Sequence, residues 1–401
     1  MAHKTLIGGT SYEITGGKTL VDGTSYSVKN GKVLVDGTEY DISFVLSPAV
    51  LDLWIGSNSN YNRINCIMYA NGYWVVGGQY YDGSTYCGRI AYTTDLTGAW
   101  TTKDVWSDST RCAVNCIAYA NGYWVAGGEA YSYGRIAYTT NPSGTWSNKN
   151  VWSGDSGYAI RCITYANGYW VVGGLNSDYD DYVCIAYTTN LAGTWKTKHL
   201  WGGSWDSTIH CITYANDYWV VGGQSSINHA CIAYTTDLTG TWTTKDVWSG
   251  NGSTTSYLTY IHCITYANGY WVVGGVYFYS DDNDNTRYAR IAYTTDLTGT
   301  WITRDIWSGF HDCGINCITY ANGYWVVGGG YYSNGSYGRI AYTTNPSGTW
   351  TVKDVWYGSS PSDILCIIYA NDCWVVGGRY RGDPYNARIA YSPTIDGFDE
   401  I

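Results

Sequence analysis

Glu13, Glu39, Glu129 and Glu400 are the only glutamates in this chain of 401 residues. Hydrolysis of a glycosidic bond needs two placed carboxylates, one of them kept protonated by its surroundings. Only Glu129 falls in a loop of the repeated region, and no aspartate pair stands out to complete it. A Gly-x-Ser-x-Gly elbow, a phosphate loop and zinc-ligand spacing are absent from the sequence. His210 and His262 hold the same position in neighbouring repeats. Two facing imidazoles could share a metal ion, but hydrogen-bonded lining of a central channel is the plainer role. The oxygen-rich runs NSDYDDY (176–182) and SDDNDN (280–285) lack the ligand spacing of an EF-hand. They read as solvated loops with Ca²⁺ as the alternative, and no cofactor is expected. What remains in quantity is contact chemistry: 43 Tyr and 21 Trp, with only 13% charged residues.

A repeat positions those aromatic residues. CITYANGYWVVGG occupies 263–275, and near copies begin at Cys66, Cys116, Cys162, Cys211, Cys317 and Cys366. The spacings between these cysteines are 50, 46, 49, 52, 54 and 49 residues. A period of that size signals a solenoid or a propeller. Within a unit, Asn-Gly separates two apolar-aromatic runs, the mark of a two-residue hairpin. RIAYTT and a KDVW-type strand follow, so each unit reads as four short antiparallel strands, a propeller blade. The seventh unit ends without its KDVW strand, and LDLWIG (51–56) stands upstream to supply it. The expected fold is all-β: a seven-bladed β-propeller over 47–401, closed by Leu51–Gly56 and preceded by a small β-hairpin repeat domain over 1–46.

The net charge of −10 disfavours nucleic acid as a partner. The N-terminus lacks an apolar signal region, and no run of 18 apolar residues predicts membrane insertion. Of 13 cysteines, seven hold one repeated position and read as free buried thiols, as in a reducing compartment. Cys87, Cys112 and Cys313 fall in segments that read as irregular and reactive, with a Cys87–Cys112 bridge as an alternative.

IAYTTDLTGTW (291–301) resembles the Asp-box of sialidase-like propellers, Ser-x-Asp-x-Gly-x-Thr-Trp, with the glycine one place later, as in Asp95 to Gly98. YANGYWVVGG beside it is similar to a bacterial and phage variant of that repeat. The Asp-box is a structural turn, so the resemblance implies a fold and not an activity. A sialidase site would add an arginine triad and a Tyr–Glu pair, for which Tyr131 and Glu129 are the sole candidates. Arg89, Arg135, Arg290, Arg339 and Arg388 recur once per unit before IAY. They are expected to form structural bonds between blades. The first 46 residues repeat every 14, as KTLIGG, KTLVDG and KVLVDG, and resemble N-terminal repeats of phage tail and fibre proteins.

In a four-stranded meander the first and third turns lie at one end of the blade and the remaining loops at the other. Here the first and third turns repeat almost verbatim, while the others differ in every unit. Tyr, Ser, Gly, Asn and Asp dominate the variable loops, a palette suited to recognition. The expected ligand-binding residues are Trp205, Tyr81, Tyr86, Tyr131, Tyr133, Tyr179, Tyr257, Tyr277, Tyr279, Tyr332, Tyr337 and Tyr380. Trp205 is the one Trp outside three scaffold positions. The expected function is non-catalytic: a receptor-binding phage tail-fibre component of the virion that binds a bacterial surface glycan or protein. Residues 1–46 would join it to other tail proteins, as a homo-trimer in one arrangement. The alternatives are a glycan-degrading hydrolase or lyase on the same face, and an assembly module for one partner protein.

Overall fold

The computed structural model describes the backbone of residues 3–7, 10–15, 18–21, 24–29, 32–35 and 38–41. It then describes residues 48–55, 61–108, 110–153, 157–175, 183–201, 207–226, 229–250, 259–280, 285–309, 313–333, 335–382 and 385–398. The first six segments are strands in one antiparallel meander in chain order. The hairpins read from the 14-residue repeat are therefore joined into a single sheet, through Ile14↔Thr19 and Val28↔Val33.

In the first unit, strands a to d are Arg63–Ala70, Tyr73–Tyr81, Tyr86–Thr93 and Thr101–Asp108. They pair antiparallel in that order, and the next four units repeat the pattern. Units six and seven share one sheet, because Thr351–Ala370 runs from strand d of one into strand a of the other. The last place in that sheet belongs to Ala49–Ile55, which pairs with Tyr385–Ser392 through Arg388↔Asp52 and Ala387↔Trp54. A strand from upstream of the first unit thus covers the edge of the seventh, which would otherwise be open to pairing with other chains.

The local reasons are visible in the repeated words. Asn71 and Gly72 have φ of 47° and 76°, the paired positive angles of a type I′ hairpin. Trp74, Val75 and Val76 in strand b are all buried, as residues must be when both faces of a sheet are covered. The two glycines that follow have separate jobs. A Cβ on Gly77 would lie 2.4 Å from Val114 of the next unit, and one on Gly78 would lie 1.9 Å from the Arg63 carbonyl. The first glycine admits the neighbouring sheet; the second admits the bulge of strand a between Ile64 and Cys66. The first contact recurs around the ring, and Gly377 of the seventh unit meets Ile64 of the first. Trp54 adds a bond across the same junction, from Nε1 to the Gln79 carbonyl at 3.1 Å.

Two expectations need correction. Arg89 does not bond between units: its Nε and Nη2 grip Asp104 of its own strand d at 2.6 and 2.9 Å. Arg290–Asp305, Arg339–Asp354 and Arg388–Asp52 repeat the grip, and Arg135 reaches Asn150. The register places Arg and Asp directly opposite on adjacent strands, within side-chain reach. Cys87 and Cys112 are not in irregular segments either; they lie in strands and are buried. Cys313 is buried too. All 13 thiols are free, and burial pushes Cys112 and Cys313 up to about 12 and Cys87 to about 11. They are thiols rather than thiolates at neutral pH, so they lack the reactivity first read into them.

Candidate functional site

The end formed by the a–b and c–d turns is closed by its own side chains. Asp95 Oδ1 accepts from the Thr97 amide and hydroxyl at 2.9 and 2.8 Å, and the Gly98 amide donates to the Asp95 carbonyl at 3.0 Å. Asn141, Asp237, Asp296 and Asn345 make the equivalent bonds. These hydrogen bonds hold Asp237 and Asp296 below the usual carboxylate range. A cation from strand d of the preceding unit caps several of these turns: Lys198 reaches the Thr239 carbonyl at 2.8 Å and Lys245 the Thr298 carbonyl at 2.8 Å.

The opposite end holds a cavity of about 380 Å³. It is lined by residues from the starts of the a strands, the ends of the b strands and, with Arg287, the start of one c strand, so it lies at the end of the strands opposite the a–b and c–d turns. One lining position is the residue before the repeated cysteine. In three units it is asparagine: Asn65, Asn115 and Asn316 donate to the carbonyls of Val114, Ile160 and Ile364 in the next unit at 2.8, 3.0 and 2.9 Å. Units three, four and five carry Arg161, His210 and His262 there, and unit seven carries Leu365. His210 and His262 pack edge to face with centroids 4.7 Å apart, and Tyr260 lies 4.4 Å from His262. Burial, with Arg161 beside it, depresses His262 to about 3. Burial, His262 and Arg161 depress His210 as well. Both rings are neutral at physiological pH.

Four arginines, Arg63, Arg161, Arg287 and Arg379, line the cavity against one carboxylate, Asp363. Arg379 holds Asp363 through two bonds of 2.8 Å. Glu129 is 4% exposed and is bonded by Arg111 at 3.0 Å. Arg63 and Arg161 have no such partner: the Nε of each is sealed from solvent and makes no hydrogen bond among the described residues. Burial, followed by Arg379, lowers Arg63 to about 10; burial lowers Arg161 also. Among the described residues, no group of three or more potential metal ligands comes together.

The tyrosines expected from sequence fall into three situations. Tyr81 and Tyr86 lie 4.5 Å apart with Tyr61 edge-on to both, and Tyr131 stands exposed at 57%. Tyr133, Tyr279, Tyr332 and Tyr337 are half-buried at the same end. Tyr277 and Tyr380 lie under Arg290 and Arg388, each 3.5 Å from guanidinium to ring centre, and so also support the Arg–Asp ladder. Trp205, Tyr179 and Tyr257 lie outside the described residues. The arginine cavity was missed in the sequence, although a signal for it exists. The residue before the cysteine varies among N, R, H and L from unit to unit, and it marks Arg161 and the two histidines of the wall.

No protein-family model matches the chain, and no curated protein matches it. Solved structures do. A structure of YCF48 bound to D1 peptide is 13% identical with a TM-score of 0.54, covering 86% of this chain and 96% of that one. A chain of a mitotic checkpoint complex is 12% identical with a TM-score of 0.53, covering 86% and 95%. At such identities the likeness shows the fold alone. With the repeated four-stranded sheets, it makes this chain an all-β propeller.

Proposed function

We propose that the chain is a seven-bladed propeller of the Asp-box kind that acts as a non-catalytic recognition protein. In this reading it is a receptor-binding component of a phage tail fibre, carried in the virion. The variable end grips a glycan of the bacterial surface, and residues 1–46 attach it to other tail proteins. One observation carries the reading: the cationic cavity lies at the strand ends from which the variable segments depart, while the opposite end spends its side chains on its own turns. Support for seven blades comes from the ring of glycine contacts that returns from Gly377 to Ile64. Glu129 and Asp363, the carboxylates nearest the cavity, are each engaged by an arginine. Neither resembles the unpaired acid that glycoside hydrolysis requires. The peptide bound to YCF48 favours a surface protein as the second class of ligand, since it is a propeller of similar build.

Adsorption to bacterial cells tests the reading. Tyr81→Ala and Tyr332→Ala, at the variable end, should each lower adsorption about 10-fold, the size of a moderate hot spot. Their melting temperatures should stay within a few degrees of the parent's. Unchanged adsorption in both variants would reject recognition through this end.

A further inference from the structure

Two buried guanidiniums whose Nε makes no hydrogen bond among the described residues, with Glu129 near both and Asp363 near Arg63 as the opposing charges, are an unusual thing to place inside a protein. Desolvating a charge is costly unless an opposite charge or strong acceptors compensate it. Arg63 and Arg161 are in that position beside a cavity of about 380 Å³. Arg287 lines the same cavity and forms no ion pair among the described residues. The carboxylates nearby are already engaged, Asp363 with Arg379 and Glu129 with Arg111. Yet asparagine in the place of Arg161 would give a bond to the next unit, as it does at three equivalent positions. The chain thus gives up a structural bond to hold a cation there, on a protein whose net charge is −10.

We propose that this cavity binds a phosphate group carried on a sugar, with Arg63 and Arg161 as its principal ligands; the proposal rests on reading the variable end as a glycan-recognition surface. The excess charge selects phosphate. Three arginines that form no ion pair among the described residues exceed what a single carboxylate would neutralise, whereas a phosphomonoester carries about −1.5 to −2 at neutral pH. Guanidinium forks match phosphate oxygens in pairs. The cavity is larger than a bare phosphate, and the rest of its wall suits a sugar. His210 and His262, both neutral, offer a donor and an acceptor to hydroxyls, and Tyr260 presents a ring beside them.

Calorimetry on the full chain at low salt decides the matter, with glucose 6-phosphate, inorganic phosphate, glucuronate, glucose and a phosphoserine peptide as probes. Glucose 6-phosphate should bind at least 10-fold tighter than each of the others. Arg63→Gln and Arg161→Gln should each weaken it at least 10-fold, and neither should lower the melting temperature, because each removes a charge whose burial outweighs the pull of Glu129 and Asp363. Inorganic phosphate binding as tightly as the sugar phosphate overturns the sugar assignment. Tighter binding of glucuronate or of the phosphopeptide overturns the ligand class. Absence of phosphate binding, or binding indifferent to both substitutions, overturns the site. Cell adsorption separates this proposal from the reading beneath it. If the parent adsorbs and both arginine variants adsorb equally, the phosphate site falls and recognition by the loops stands. If the parent adsorbs to no bacterium tested, the recognition reading itself falls, whatever calorimetry shows.

Discussion

The same strands build both ends of the propeller, and the ends follow different rules. At the turn end, the side chains serve the turn itself: Asp95 accepts from Thr97 and Thr93 donates to the Asp95 carbonyl, and in the Asp296 turn Lys245 of the neighbouring unit takes the Thr298 carbonyl. A change there breaks a bond that most units make, so the words repeat. At the cavity end, the Nε of Arg63 and of Arg161 makes no hydrogen bond among the described residues, and two imidazoles sit unprotonated at the repeat position that Arg161 holds in unit three. Residues there are not fixed by the fold, so they are free to differ from unit to unit. The difference teaches that repetition marks where structural demands are met internally, and variation marks where they are left for something else to meet.

The largest effect that can separate the ends comes from glycines. Gly223 lies opposite the bulge of strand a, and a Cβ there would be 2.0 Å from the Thr208 carbonyl. Gly269, in an a–b turn, has φ of +78° and nothing within 4 Å of a Cβ. Gly223→Ala must displace backbone and should cost about 3 kcal/mol. Gly269→Ala meets only left-handed strain and should cost about 1 kcal/mol. Urea unfolding midpoints measure both. Equal losses would break the contrast, because they would mean that the bulge shaping the cavity wall is as adaptable as an exposed turn.

A smaller effect should come from converting the cavity wall toward the structural pattern. His262→Asn can donate to the Ile315 carbonyl, as asparagine does in units one, two and six, and should add about 1 kcal/mol. Its pH dependence carries the sign. His262 has a folded value of about 3 against an ordinary 6.5, so the unfolded chain takes up this proton first as acid is added. Stability is therefore complete above about 6.5 and is lost as pH falls toward 3. The variant should lose less stability than the parent between pH 7 and pH 4, as read from melting temperatures. A variant as acid-sensitive as the parent would place that sensitivity elsewhere.

Much of the fold was legible because it is written in local chemistry repeated many times. Asn71-Gly72 announces a I′ hairpin through its backbone angles, and a missing strand in unit seven announces its replacement upstream as Ala49–Ile55. The cavity was not legible, since its residues become neighbours only when the ring closes: Arg63 and Arg379 come from opposite ends of the repeat region. The arginines before IAY were misread for a related reason. A residue that recurs once per unit can bond within its sheet or across to the next, and only the register of strands c and d decides. The cavity wall, unlike the tyrosine-rich loops, carries no compositional signal. There the signal was a single letter, N, R, H or L, before a constant cysteine.

The smallest effect sharpens the comparison from the turn end. Lys245 extends from strand d to the Thr298 carbonyl of the next unit, and Lys103, Lys198, Arg304 and Lys353 make the same reach at other junctions. Lys245→Met keeps the aliphatic stem and removes only the ammonium. The bond lies at the surface, where solvent competes for both partners, so the loss should be about 0.5 kcal/mol. Lys245→Arg should restore it, because Arg304 serves that role in unit five. Neither substitution should change adsorption to cells or binding of glucose 6-phosphate, since Lys245 lies at the end opposite the cavity. A Lys245→Met variant that folds and melts like the parent yet fails to adsorb would erase the distinction between the ends, by showing that repeated turns take part in recognition.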